Sequence, residues 1–163
     1  MQVHGIIHTF PREIKILIIV FLVMLTIGFF TGLAFINDTT QMQPEGIEMQ
    51  YLGNEVDENA TVMKFKKSER EIFTLVHNHI LSLSLIFFVL ALILSTTSIN
   101  KKLKHFLMLE PLFSVLFTFG GIYLMWTGIT WFKYIVMISG TLMTLSFGLA
   151  VIIILMQILK VKN

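Results

Sequence analysis

Residues 16–36 read ILIIVFLVMLTIGFFTGLAFI, a run without a single charge. A helix needs about 20 apolar residues, at about 1.5 Å each, to cross a hydrocarbon core of roughly 30 Å. This stretch therefore predicts a bilayer-crossing helix, and three others follow it. Residues 72–94 are apolar apart from His77, Asn78, His79 and a few hydroxyls; residues 106–126 carry Glu110 and Pro111; residues 131–159 follow a turn at Thr127, Gly128, Ile129 and Thr130. The expected fold class is an all-α integral membrane protein, one domain over 1–163, built as a four-helix up-down transmembrane bundle. Its spans are expected at about 14–36, 69–97, 103–126 and 131–159, with an outer loop at 37–67.

Composition agrees. Of 163 residues, 55% are apolar and 13% charged, against roughly 45–50% and about 25% in a soluble domain. Disorder is excluded, and a soluble globule of this length has no way to hide so much apolar surface. With no cysteine, disulfides, thiolate metal sites and thiol nucleophiles are excluded. A net charge of +2 makes no case for nucleic acid.

Lys and Arg in short flanking segments set orientation. Arg12, Lys15, Lys101, Lys102, Lys104, Lys160 and Lys162 fall on one side; Lys64, Lys66, Lys67, Arg70 and Lys133 fall on the other. The acid-free NKKLK link decides for both termini inside, in a bacterial inner (plasma) membrane. Tyr123, Trp126, Trp131 and Tyr134 gather at the outer turn as an interfacial belt. The first span is too long for a signal peptide and lacks a small-residue cleavage site, so it is expected to stay. Val3, Ile6, Ile7 and Phe10 repeat at helical spacing and suggest a turn or two lying in the inner interface.

The outer segment carries Asp38, Glu45, Glu48, Glu55, Asp57 and Glu58 with no base up to Val62. It reads as a solvated loop in which IEMQYL and ATVMKF are candidates for a short β-hairpin around GNEVDEN. Asn59-Ala60-Thr61 has the form of a glycosylation sequon, which chance explains in a bacterial chain. Small residues recur at helix-face spacing: Gly28 and Gly32; Gly140, Thr144 and Gly148; and, with a carboxylate, Glu110, Ser114, Thr118 and Gly121. Each stripe reads as a surface for close helix approach.

Polar groups within spans are costly, and each is a site hypothesis. Ser68-Glu69-Arg70-Glu71 is a capping box, so the second span should begin near Glu69. His77 then lies about 12 Å along it. Residues two apart point about 200° away from each other, so His77 and His79 cannot grip one ion together from a regular helix. His77 shares a face with Thr74, Leu81 and Ser84, whereas Asn78, His79 and Ser82 form a second polar face, which predicts either a central helix touching two neighbours or a helix with one flank lining a cavity.

Four readings of this segment stand side by side. One histidine holds haem b, either five-coordinate or with Met125 or Met137 as the opposite ligand. His77 or His79 joins acids in a copper or zinc site. His, Asn and Ser, with Ser82 and Ser84 included, donate to a quinone or lipid headgroup. Or they hydrogen-bond within the bundle or to a partner subunit. Four-helix cytochromes of the b561 kind pair histidines on facing helices, a pattern this chain lacks.

Glu110, directly before Pro111, reads as an interfacial acid pairing with a snorkelling lysine, or as a titrating carboxylate near His105 that opens a polar route along Ser114 and Thr118. Pro111 predicts a kink or a helix start.

No P-loop, HExxH or serine elbow occurs, and no span contains Asp. The architecture resembles small four-span proteins of bacterial inner membranes, through no family-specific motif. The expected function is a non-enzymatic accessory or ligand-binding subunit, in a larger membrane complex or homo-oligomer, with His77, Asn78 and His79 as its polar site. A haem- or quinone-linked electron carrier and a proton- or ion-conducting oligomer using Glu110 are the alternatives.

Overall fold

The computed structural model describes residues 5–55 and 62–160. A 3₁₀ turn at Ile7–Thr9 leads into α1 (Arg12–Thr40), followed by α2 (Pro44–Leu52), α3 (Glu69–Ser95), α4 (Lys101–Trp126) and α5 (Phe132–Ile158). Among the described residues there is no strand. The helices α1, α3, α4 and α5 are each long and apolar enough to cross a membrane.

Local chemistry sets the ends. Ser68 and Glu71 form the expected capping box: the Glu71 amide donates to Ser68 Oγ at 3.3 Å, and the Ser68 amide donates to Glu71 Oε2 at 2.8 Å. Asn100 caps α4, its Oδ1 accepting from the Lys102 amide at 2.9 Å. Pro111 neither starts nor ends α4, which runs through it. The proline is buried, where packing offsets the lost backbone bond. Gly128, at φ 112, turns the chain between α4 and α5.

The central helix is α4, which packs against α3 on one side and α5 on the other. This corrects the expectation that the histidine-bearing span sits centrally. The helix α3 buries Ile72, Phe87, Leu90, Ala91 and Leu94, and leaves His77, Asn78 and His79 exposed. Only Ile18, Leu22 and Thr40 of α1 are buried, so α1 stands partly off the other three. It meets them at Phe29, which stacks on Phe147 of α5 at 4.2 Å and lies edge-on to Phe87 of α3 at 6.5 Å.

Both ends are closed by short segments. At the terminal end, the amides of Gly5 and Ile7 donate to the Thr97 and Thr96 carbonyls at 3.3 and 3.2 Å. Ile7 is only 1% exposed. The segment thus plugs the foot of the bundle, because the chain turning from α3 to α4 leaves carbonyls that need donors. Val3 lies outside the described residues.

At the other end α2 forms a cap, and this corrects the hairpin. IEMQYL is helical because Pro44 occupies the first helical turn after extended Gln43, with Glu45 on the favourable end of the dipole. The return strand-like path is held differently: the Asn54 amide donates to Lys64 O at 2.9 Å, and Asn54 Nδ2 to Val62 O at 2.9 Å. The segment 37–67 is therefore an ordered cap over its described part, not a solvated loop, and α1 itself extends through Thr40. Asp57, Glu58 and the sequon Asn59-Ala60-Thr61 lie outside the described residues.

Of the small-residue stripes, one is used as expected. Ser114, Thr118 and Gly121 are buried against α5, with a Cβ on Gly121 meeting Val136 Cγ2 at 2.9 Å. A Cβ on Gly28, Gly32, Gly140 or Gly148 would meet nothing within 4 Å, so these glycines mediate no close helix approach within the chain.

Candidate functional site

The gap between α1 and the α3–α4–α5 layer is a cavity of about 700 Å³ beneath α2. Its walls are apolar: Leu33 and Ile36 from α1, Leu75 from α3, Phe119 and Ile122 from α4, Met137 and Leu145 from α5. Gly140 and Thr144 line it too, which explains the open space that a Cβ on Gly140 would meet. The Phe29, Phe87 and Phe147 cluster, where α1 meets α3 and α5, lies about one turn beyond the lining residues Leu33 and Thr144.

Polar groups gather at the cap end of the lining, namely Thr39, Thr40, Gln50, Tyr51, Lys67 and Glu71. Lys67 Nζ and Glu71 Oε1 are 3.3 Å apart and half exposed. The Lys67 carbonyl accepts from Trp126 Nε1 at 2.8 Å, which ties the cap to the end of α4. Burial pushes the Tyr51 phenol up to about 12. The cap is anchored by Lys133, 2.6 Å from Glu48 and 3.7 Å from Glu45, and by Lys64, which donates to Thr39 O at 2.7 Å.

The structure does not bring the sequence-predicted polar segment into this cavity. His77 and Asn78 project from the exposed face of α3, and Ser82 donates to the Asn78 carbonyl at 2.6 Å. His79 donates through Nδ1 to the Leu75 carbonyl at 2.8 Å and stacks on Phe119 at 4.5 Å. Ser84 is half-buried. Among the described residues, no three His, Cys, Asp or Glu side chains gather where a metal ion would be held. The described histidines off α3, His8 and His105, lie toward the terminal end, so no histidine faces His77 or His79 among the described residues; Met125 is sealed in the core and Met137 lines the cavity.

A second, more open cavity of about 640 Å³ lies on the other side of the α4–α5 seam, lined by His105, Glu110, Ser114 and Ser139 with aromatic neighbours. Ser114 Oγ donates to Glu110 Oε1, and Thr118 Oγ1 shares a 2.7 Å hydrogen bond with Ser139 Oγ across the seam. Among the described residues no lysine forms the expected pair with Glu110. Lys104, buried on the same helix, donates to the carbonyls of Ser95 (2.9 Å) and Thr97, where the end of α3 offers unsatisfied acceptors.

The cavity residues Gln50, Tyr51 and Lys67 escaped the sequence reading because they lie in what looked like a loop. Gly140 and Thr144 were visible as a small-residue stripe, but a stripe does not reveal whether it packs or stands open.

Four long apolar helices enclosing a membrane-depth cavity define a small multi-pass membrane protein. Residues 41–163 match the Aq_1264_TM family, described as a transmembrane helical domain, and the chain belongs to that family. The match takes in α2 to α5 and stops short of α1. No curated protein and no solved structure matches the chain.

Proposed function

We propose that this is a non-enzymatic protein of a bacterial inner membrane, with both termini cytoplasmic, that holds one phospholipid-like amphiphile between α1 and the other helices. The observation that carries this reading is the cavity of about 700 Å³ with apolar walls and a polar rim at one end. Ligand pockets typically span about 300–1,000 Å³ and combine apolar walls with a few placed polar groups. The paired Lys67 and Glu71 at the rim match a zwitterionic headgroup: the ammonium suits a phosphate and the carboxylate suits an amine. The Tyr51 hydroxyl, which has no hydrogen-bond partner among the described residues, adds a donor.

The test is native mass spectrometry of protein released from membranes. Wild-type protein is expected to retain one phospholipid. Gly140→Leu fills the cavity from a position with open space around its Cβ and improves helix propensity, so it should fold and lose the lipid. Equal retention by both proteins would sink the proposal.

A second reading rests on a separate observation. His77 and Asn78 lie exposed about 12–14 Å along α3, at membrane depth, with no side-chain partner among the described residues. Polar groups at this depth call for a partner, which supports an accessory role in which this face of α3 seats another membrane helix.

A further inference from the structure

We infer that the cavity between α4 and α5 is a binding site for a lipophilic organic cation, with Glu110 as its counter-ion and phenylalanine rings as its walls. Glu110 lies nine residues into α4, about 14 Å from the terminal end of the helix. Its Oε1 accepts from Ser114, whereas its Oε2 is buried and has no hydrogen-bond partner among the described residues. A carboxylate at membrane depth is costly until a positive charge or a proton meets it.

The nearby cations do not meet it. Lys104 is engaged with the carbonyls that end α3, and no ion pair to Glu110 occurs among the described residues. From α5, the cavity is lined by Ile135, Ile138, Ser139 and Leu142, none of them charged. The remaining wall, from α4, holds His105 and Leu109 together with three rings: Phe106, Phe113 and Phe117 line the cavity and are 52%, 58% and 53% exposed, and His105 makes no ion pair or hydrogen bond with Glu110 among the described residues. Ring faces attract a desolvated cation, and a weakly hydrated organic cation crosses the hydrocarbon to reach them where a metal ion does not. An open side toward the lipid, an unpaired carboxylate and three rings together select a hydrophobic ammonium or phosphonium and disfavour an anion or a compact hydrated ion.

The site is independent of the lipid cavity, which lies across the Thr118–Ser139 bridge. Binding of tetraphenylphosphonium to protein in nanodiscs of zwitterionic lipid provides the test, with empty discs subtracted. Wild-type protein is expected to bind saturably at one site. Glu110→Gln keeps the side-chain shape and is expected to weaken binding by about tenfold or more. Phe113→Leu, on the exposed face and harmless to folding, is expected to weaken it by roughly two- to fivefold. Gly140→Leu, which tests the lipid site, should leave it unchanged. No saturable binding by wild type, or an unchanged affinity in Glu110→Gln with normal helical content, would overturn the inference. So would equal binding of neutral tetraphenylmethane.

Discussion

Glycine positions differ sharply in what a single methyl group would do. A Cβ on Gly46 would stand 1.9 Å from the Thr40 carbonyl oxygen and 2.7 Å from its carbon, because α2 starts directly against the end of α1. Backbone cannot retreat as a flexible side chain can. Gly46→Ala should therefore cost about 2 kcal/mol or more and displace the cap. In contrast, Gly28→Ala faces open space and should gain up to about 1 kcal/mol through helix propensity. Thermal unfolding in detergent, paired with limited proteolysis between residues 41 and 67, checks both. Sequence pattern does not reveal which of these two glycines matters. Gly28 belongs to an inviting GxxxG pattern, yet it is Gly46, in no pattern at all, that is sterically required.

At the scale of elements, α2 acts as a lid whose attachment is partly electrostatic, through Lys133 with Glu48 and Glu45, and partly a matter of burying Ile47 and Tyr51. Tyr51 makes that attachment pH-dependent. Its phenol is pushed from an ordinary value of 10.0 to about 12 by burial. Between these values the docked cap keeps a proton that the undocked cap gives up. The docked form thus binds more protons across this window, and raising the pH favours release. Its contribution should be complete below about pH 10 and decline from there to about pH 12. An alkaline titration followed by tyrosinate absorbance should contain a late component that disappears in Tyr51→Phe, and that variant should lose the Tyr51-dependent part of cap release. The capping box of α3 was legible at this scale because a cap depends on residues three apart in sequence. The helix α2 was not, since six apolar and polar residues in IEMQYL fit either period, and only Pro44 at its start and the surface offered by α1 and α5 made the helical choice.

For the whole molecule, the α3 face with His77 and Asn78 raises the question of what covers it. Because the chain contains no cysteine, a single introduced thiol reports its neighbours cleanly. In native membranes, Asn78→Cys is expected to form an oxidative cross-link to a second polypeptide, either another copy or a partner. Leu145→Cys, at a comparably exposed position, should not. Absence of any cross-link from Asn78→Cys would remove the accessory-subunit reading without touching the lipid cavity. The partial separation of α1, between its contact at the three phenylalanines and α2, is likewise a property of the whole molecule. It creates the larger cavity, and it coincides with the family match beginning at residue 41.

The four spans, the turn at Gly128 and the start of α3 follow from the sequence alone, since hydrocarbon thickness and local capping impose their rules on contiguous residues. Which helix occupies the centre, which small residues pack and which stand open, and where Glu110 and Lys104 find or fail to find partners, were decided only in the tertiary structure. Inside a bilayer every span is apolar all round, so hydrophobicity no longer marks an inward face. The faces are chosen by shape and by a few hydrogen bonds between residues far apart in the chain, such as Thr118 with Ser139 and Trp126 with Lys67.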